Sequence, residues 1–359
     1  MFRIKTNYVK AESFIEGFEK TWLLQDSFSH IHNFSEITRH EIYFPNQYYG
    51  IDLIIKNMLQ IPANKSLKFA LPHGIEMGIN LGPGSMLGER SHLSTFIYNN
   101  EFGLSNILQD RLKGCRFQFV HPILIIDRLM KSNGLMNYEK KYETLFYPAH
   151  LDSIATFINV QYDMDIIERL LSQGYKPEEV TVSLIGTDII KGRNKKYENF
   201  GFKVVSSGFN TDPFFLSRFI NLASSFRNIV TAEIGSHLFF TAALGYNVKF
   251  IDLGLDRMQT CINPNSIVNP VTLFPKVEEF ISLIGTKKTQ STAIEILGGA
   301  MESSFSIARL KKIHYASIVF DSIGLLTLRG KSSVVLTLPS ILYRRASFLK
   351  SFLMKFLRL

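Results

Sequence analysis

The chain has 359 residues, 46% of them hydrophobic and 20% charged, a globular balance with material for about two domains and no disordered bulk. Its net charge of +9 is local: after Asp321 come seven Lys and Arg side chains and no acid, which argues against a surface tracking nucleic acid over the whole molecule. The two cysteines, Cys115 and Cys261, imply no disulfide framework. No apolar run approaches the ~18 residues of a membrane span, and the opening Met1-Phe-Arg-Ile lacks a leader's apolar core, so a cytoplasmic setting is expected.

In chain order, Ile51 to Gln60 has helical spacing and Ser66 to Leu71 reads as a strand. A Gly/Pro-rich loop follows, Pro72-His-Gly-Ile-Glu-Met-Gly78, and Arg116 to Val120 is a further strand candidate. The polar stretch Lys131 to Tyr142, broken by Gly134, places a domain boundary near residue 135. Beyond it, Leu145–Tyr147 reads as a strand and Asp163–Gln173 as a helix closed by Gly174 in a left-handed cap. Val180–Ile185 and Lys203–Ser206 are β-branched strands. A helix opens at Asp212-Pro213, with Asp as its N-cap, and Asn228–Ala232 and Asn247–Asp252 are strands around a helix over Gly235–Leu244. Strands separated by helices in this rhythm predict a parallel sheet with crossover helices.

The most informative stretch is Ile229 to Phe250, read as strand, Gly235-Ser236 loop, helix, Gly245, strand. Glycine permits close approach of a ligand to the backbone, and the free N–H groups and dipole at a helix start attract phosphate. With Ile234-Gly-Ser-His237 followed by Ala242-Ala-Leu-Gly245, it resembles the diphosphate-binding strand–loop–helix in the second domain of GT-B glycosyltransferases. Asp188 to Arg193 and Tyr197 to Val205 also resemble uncharacterised bacterial polysaccharide-biosynthesis proteins. The resemblance, over about residues 140–255, implies an α/β protein of two Rossmann-like domains. They would be an acceptor-side domain over 1–135 and a nucleotide-sugar-binding domain over 136–278, with a helical return and basic tail over 279–359.

It further implies transfer of a sugar from a nucleotide-sugar donor to a bacterial surface polysaccharide or lipid-linked glycan, with no metal and no cofactor. Lys191 and Arg193 are positioned to reach donor phosphates, and His237 sits just inside the candidate phosphate helix. His150 and Ser153, opening the second domain, are candidates for donor contact. The acceptor hydroxyl needs a base. His73, at the carboxyl end of the Ser66–Leu71 strand, suits that role at neutral pH, and Glu76 competes for it. His30, His32, His40 and Glu41 lack the matched second cluster of a metal site, and no phosphate-binding Walker loop or nucleophile elbow is present.

Residues 339–359 combine a broad Phe/Leu helical face with five basic residues and no acid, the pattern of a helix lying on an anionic membrane surface. Peripheral association with the inner face of the cell membrane is therefore expected, and a lipid-linked acceptor would explain it. The alternatives are a polyol-phosphate transferase or nucleotide-sugar epimerase on the same fold, and a membrane-associated scaffold without catalysis.

Overall fold

Tyr142–Tyr147 is the strand on which the architecture turns. The computed structural model describes residues 41, 43–69, 71, 74–75, 95–98, 115–118, 121–132, 140–149, 161–232, 234–251, 275–298, 308, 310–312 and 314–315. In chain order these hold α1 (Ile51–Leu59), β1 (Thr95–Tyr98), β2 (Cys115–Gln118), α2 (Pro122–Ser132), β3 (Tyr142–Tyr147), α3 (Gln161–Ser172) and β4 (Val180–Ser183). There follow α4 (Gly186–Ile190), α5 (Asn194–Glu198), β5 (Lys203–Val205), α6 (Phe215–Ser224), β6 (Phe226–Thr231), α7 (Ser236–Ala243), β7 (Asn247–Phe250), α8 (Pro275–Ser282) and α9 (Thr289–Ile296). A short 3-10 segment, Phe44–Gly50, leads into α1.

Five strands form one parallel sheet in the order β5-β4-β3-β6-β7. Leu145 pairs with Thr181 on one side and Ile229 on the other, so β3 is laddered along both edges. The chain builds outward from β3 through β4 to β5, then returns to the far side of β3 for β6 and β7. Strand alternation then feeds two cores. Leu145, Tyr147 and Ile229 face a core closed by α1, α2, α6, α7, α8 and α9, whereas Phe146, Val182 and Val230 face one closed by α3, Tyr197 and Phe202. Helices thus cover both faces, as an all-parallel sheet requires. Elements on either side of the expected boundary near residue 135 share the first of these cores. β1 and β2 form a separate parallel pair.

Gly174 closes α3 as expected: its φ is +83°, and the Tyr175 amide reaches back to the Leu170 carbonyl at 3.1 Å. Two other expectations are corrected. Leu67, Phe69 and Leu71 are buried with the period of a strand, yet no strand forms among the described residues from 66 to 71. Their backbone bonds go to side chains. The Leu67 amide donates to the Glu41 carboxylate, the Leu71 amide to Asn46 Oδ1 at 2.8 Å, and Asn46 Nδ2 donates to the Phe69 carbonyl at 2.9 Å. Glu41 in turn pairs with the buried Lys56 of α1. Asp212 does not cap α6 directly: its Oδ1 accepts from the Phe214 amide at 2.8 Å in a turn, and the helix begins at Phe215. Residues 339–359, read as a membrane-surface helix, lie outside the described residues.

His121 precedes α2, fully buried, and its Nδ1 accepts from the Ile123 amide at 3.1 Å. Burial pushes its imidazole down to about 3. The unfolded chain, titrating near 6.5, therefore binds more protons than the folded one below neutrality. Stability from this group is full above about 6.5 and is lost as pH falls toward the folded value. At pH 5 the loss is about 2 kcal/mol. His121→Asn, which keeps an acceptor for Ile123, is expected to shrink the stability difference between pH 7 and pH 5 by that amount in urea titrations. An undiminished difference would show that His121 does not titrate in that range.

Candidate functional site

The order β5-β4-β3-β6-β7 reverses direction at β3 and β6. At such a reversal the loops leaving adjacent strands diverge to opposite faces and open a crevice beyond their carboxyl ends. A cavity of about 230 Å³ lies there. Four of the five strand ends supply part of its wall: Tyr147 from β3, Ser183, Leu184 and Ile185 from the end of β4, Ser207 after β5, and Gly235, Ser236 and His237 after β6. Phe215 and Phe219 of α6, Phe240 of α7 and Tyr49 from the segment before α1 complete it with aromatic rings.

Gly235 adopts an extended backbone at φ −127°, so its role is not a left-handed turn. The N-cap of α7 is Gly235, which has no side chain to cap it, and the first intrahelical bond runs from the Leu238 amide to the Gly235 carbonyl. A helix start carries amide groups and a dipole of the sign that favours an anion. Ser236 is half-buried, and its hydroxyl accepts from the Ile75 amide at 3.0 Å. A Cβ on Gly74 would come within 2.7 Å of the same hydroxyl. The Gly74–Ile75 segment is thereby seated on the start of α7. His237 is buried, with Nε2 2.6 Å from Thr231 Oγ1 and its ring centroid 5.3 Å from that of Tyr147.

Gly235, Ser236 and His237 therefore meet at one cavity. Arg193 is held elsewhere. Its guanidinium is 3% exposed and bonded to Asp163 at 2.6 and 2.9 Å, to Asp188 at 2.8 Å and to the Ala149 carbonyl at 2.6 Å. Asp163 also accepts from Tyr197 and Lys196. Burial raises the Asp163 carboxyl, and the bonds and charge of Arg193 outweigh it, so the group titrates below its usual range. Arg193 thus ties α3 and the loop before α5 to the chain just past β3, and its bonding nitrogens are taken by protein oxygens rather than left for a donor phosphate. Lys191 is exposed at the end of α4 and does not line the cavity. His73, Glu76, His150 and Ser153 lie outside the described residues; Gly74 and Ile75, which follow His73, sit on Ser236, and Ala149, which precedes His150, is bonded to Arg193.

Sequence reading missed Tyr49, Tyr147, Ser183 and Ser207. A findable signal was there for three of them, a hydroxyl-bearing residue at or just past the carboxyl end of successive expected strands. Among the described residues, no group of three or more His, Cys, Asp or Glu side chains is arranged to hold a metal ion. No described helix is long and apolar enough to cross a membrane.

No family model matches the sequence, and no curated protein is similar to it. Eight chains among solved structures match. One is the wall teichoic acid polymerase TagF, soaked with CDPG, at a TM-score of 0.36 and 12% identity over 72% of this chain and 68% of that one. A likeness of that size carries no argument about function.

Proposed function

We propose that this chain is a GT-B-type glycosyltransferase that moves a sugar from a nucleotide-sugar donor to a bacterial surface polysaccharide or lipid-linked glycan. The observation that carries the reading is the cavity at the sheet's reversal point, with the start of α7 on its wall. Dinucleotides and nucleotides bind at that place in doubly wound folds. The donor diphosphate would lie against the first turn of α7, whose amides and dipole offset the charge released as the sugar departs. This reading calls on no metal. His73, with Glu76 as its competitor, would take the proton of the acceptor hydroxyl. Support for that role comes from Gly74 and Ile75, which sit between those two residues in sequence and contact Ser236. His150 and Ser153 remain proposed donor contacts.

Thermal shift with UDP, GDP, CDP and dTDP is expected to single out one nucleotide. At a hundred times its Kd, a ligand adds about 2.7 kcal/mol of stability. Gly235→Val, which places a branched side chain at the wall, is expected to fold and to lose that shift. His73→Ala should keep the shift while turnover falls about 10²–10⁴-fold. A folded Gly235→Val protein with unchanged nucleotide affinity would remove the proposed phosphate site.

The basic tail is proposed to hold the enzyme at an anionic membrane surface, where each Lys or Arg adds about 1 kcal/mol. Deleting residues 340–359 is expected to abolish sedimentation with anionic vesicles and to leave nucleotide binding intact. Equal sedimentation of the full and shortened chains would contradict the membrane role.

A further inference from the structure

We propose that Ser236 is a positioning residue: its hydroxyl latches Gly74 and Ile75 onto the start of α7, and so sets the flanking base candidates, His73 and Glu76, at the edge of the phosphate site. This rests on the nucleotide-sugar reading and names the contact that brings its acceptor side and its donor side together. The Ile75 amide donates to Ser236 Oγ at 3.0 Å, and Ser236 lines the strand-end cavity as the first residue of α7. A hydroxyl that accepts one bond keeps its own proton and a second lone pair. Holding Ile75 therefore leaves Ser236 able to bond a ligand as well.

Glycine at position 74 is a second sign. Its backbone is not in the left-handed region, so no turn demands a residue without a side chain there. Close approach does demand one. A Cβ would come within 2.7 Å of Ser236 Oγ, while among the described residues the next nearest atom, Ser236 Cβ, lies at an ordinary 3.9 Å. The hydroxyl alone excludes a side chain at 74, and glycine admits the approach because it has no Cβ. A segment that only had to bury Ile75 would not need that glycine.

The segment is also fixed at its other end. The Leu71 amide donates to Asn46 Oδ1 at 2.8 Å, and Asn46, fully buried, is bonded in turn to the Phe69 carbonyl and the Glu41 carboxylate. Leu71 and Ile75 themselves are buried in the first core. Only Pro72, His73 and Gly74 separate the two anchored amides, and a proline ring fixes its own φ. Burial attaches the segment to the core, and the Ser236 bond sets its register against α7. Catalysis tolerates little error in such a register, since a shift of about 1 Å can cost about 100-fold in rate.

The test uses the full-length chain as wild type, Gly74→Ala, Ser236→Ala, Ser236→Thr and the double variant Gly74→Ala with Ser236→Ala. Amide exchange reads the latch. Ile75 is expected to exchange tenfold or more faster in Ser236→Ala while Leu71 stays unchanged, and Ser236→Thr, which keeps the hydroxyl, should restore Ile75. Hydrolysis of UDP-glucose, UDP-N-acetylglucosamine, GDP-mannose and dTDP-glucose reads the function. Water adds to the anomeric carbon, its proton passes to the base, and the nucleoside diphosphate leaves. Gly74→Ala is expected to lower kcat tenfold or more with KM unchanged. The double variant should be no slower than Ser236→Ala, because the added methyl then meets no hydroxyl. Groups that act through one another give losses that do not add, so Gly74→Ala should cost nothing further in a His73→Ala background, or in Glu76→Ala if that is the base. A bond that merely braces the fold would lower the melting temperature and leave kcat alone. The proposal is overturned by equal Ile75 exchange in wild type and Ser236→Ala, by wild-type kcat in Gly74→Ala, or by losses that add in full to those of both His73→Ala and Glu76→Ala. Any of these, with the wild type hydrolysing a probe, leaves the transferase reading standing. A wild type that neither hydrolyses a probe nor gains stability from any nucleotide removes that reading, and the positioning role with it, even where Ile75 exchanges as expected.

Discussion

The double-edged pairing of Tyr142–Tyr147 constrains everything else described. Because β4 and β6 are both hydrogen-bonded to this strand in parallel, the chain must cross from one half of the sheet to the other between β5 and β6. Right-handed crossovers then place α3 on one face and α6 and α7 on the opposite one. The loops at the ends of β3 and β6 part company for the same reason. Where they part, Tyr147, Gly235, Ser236 and His237 surround the cavity. The site follows from topology before any side chain is chosen.

Chemistry is added to that topology by contacts from far along the chain. Ile75 and Gly74 seat on Ser236, 161 residues away in the case of the Ile75 hydrogen bond, and Tyr49 reaches the same wall by way of a strained corner locked on Asn210 and Pro213. The amino-terminal half is joined to the sheet through a shared apolar core rather than by a single loop, since Ile54, Ile123 and Phe219 belong to one cluster. Buried ion pairs hold the edges of this frame. Arg193 fixes the segment just past β3 against α3, and Lys56 with Glu41 fixes α1 against the segment from Leu67 to Leu71. Such groups are costly to bury and costlier to break singly, because the partner is then left charged and unpaired.

The sheet was largely legible in the sequence because buried parallel strands carry β-branched runs, as in Val180–Ser183 and Ile229–Thr231. The loop at Gly235-Ser236-His237 was legible because a glycine between a strand and a helix is a local signal. What escaped depended on distant partners. Leu67, Phe69 and Leu71 alternate like a strand, but their ladder is made of the Glu41 and Asn46 side chains, and no local pattern distinguishes those acceptors from a neighbouring backbone. Arg193 reads as a loop cation beside Lys195 and Lys196, and only the fold reveals Asp163 and Asp188 waiting for it. Tyr147 and Ser207 read as strand-end residues of no special kind until the cavity sets them on one wall.

The central claim is that ligand binds at the carboxyl ends of β3 and β6, against the start of α7. Amide hydrogen exchange with and without the nucleoside diphosphate that stabilises the chain tests it most directly. The account predicts slowed exchange in residues 234–238 and 183–186, with residues on the opposite end of the sheet, such as 176–180 and 201–203, unchanged. Protection confined to that opposite end, or absent from residues 234–238, would contradict it.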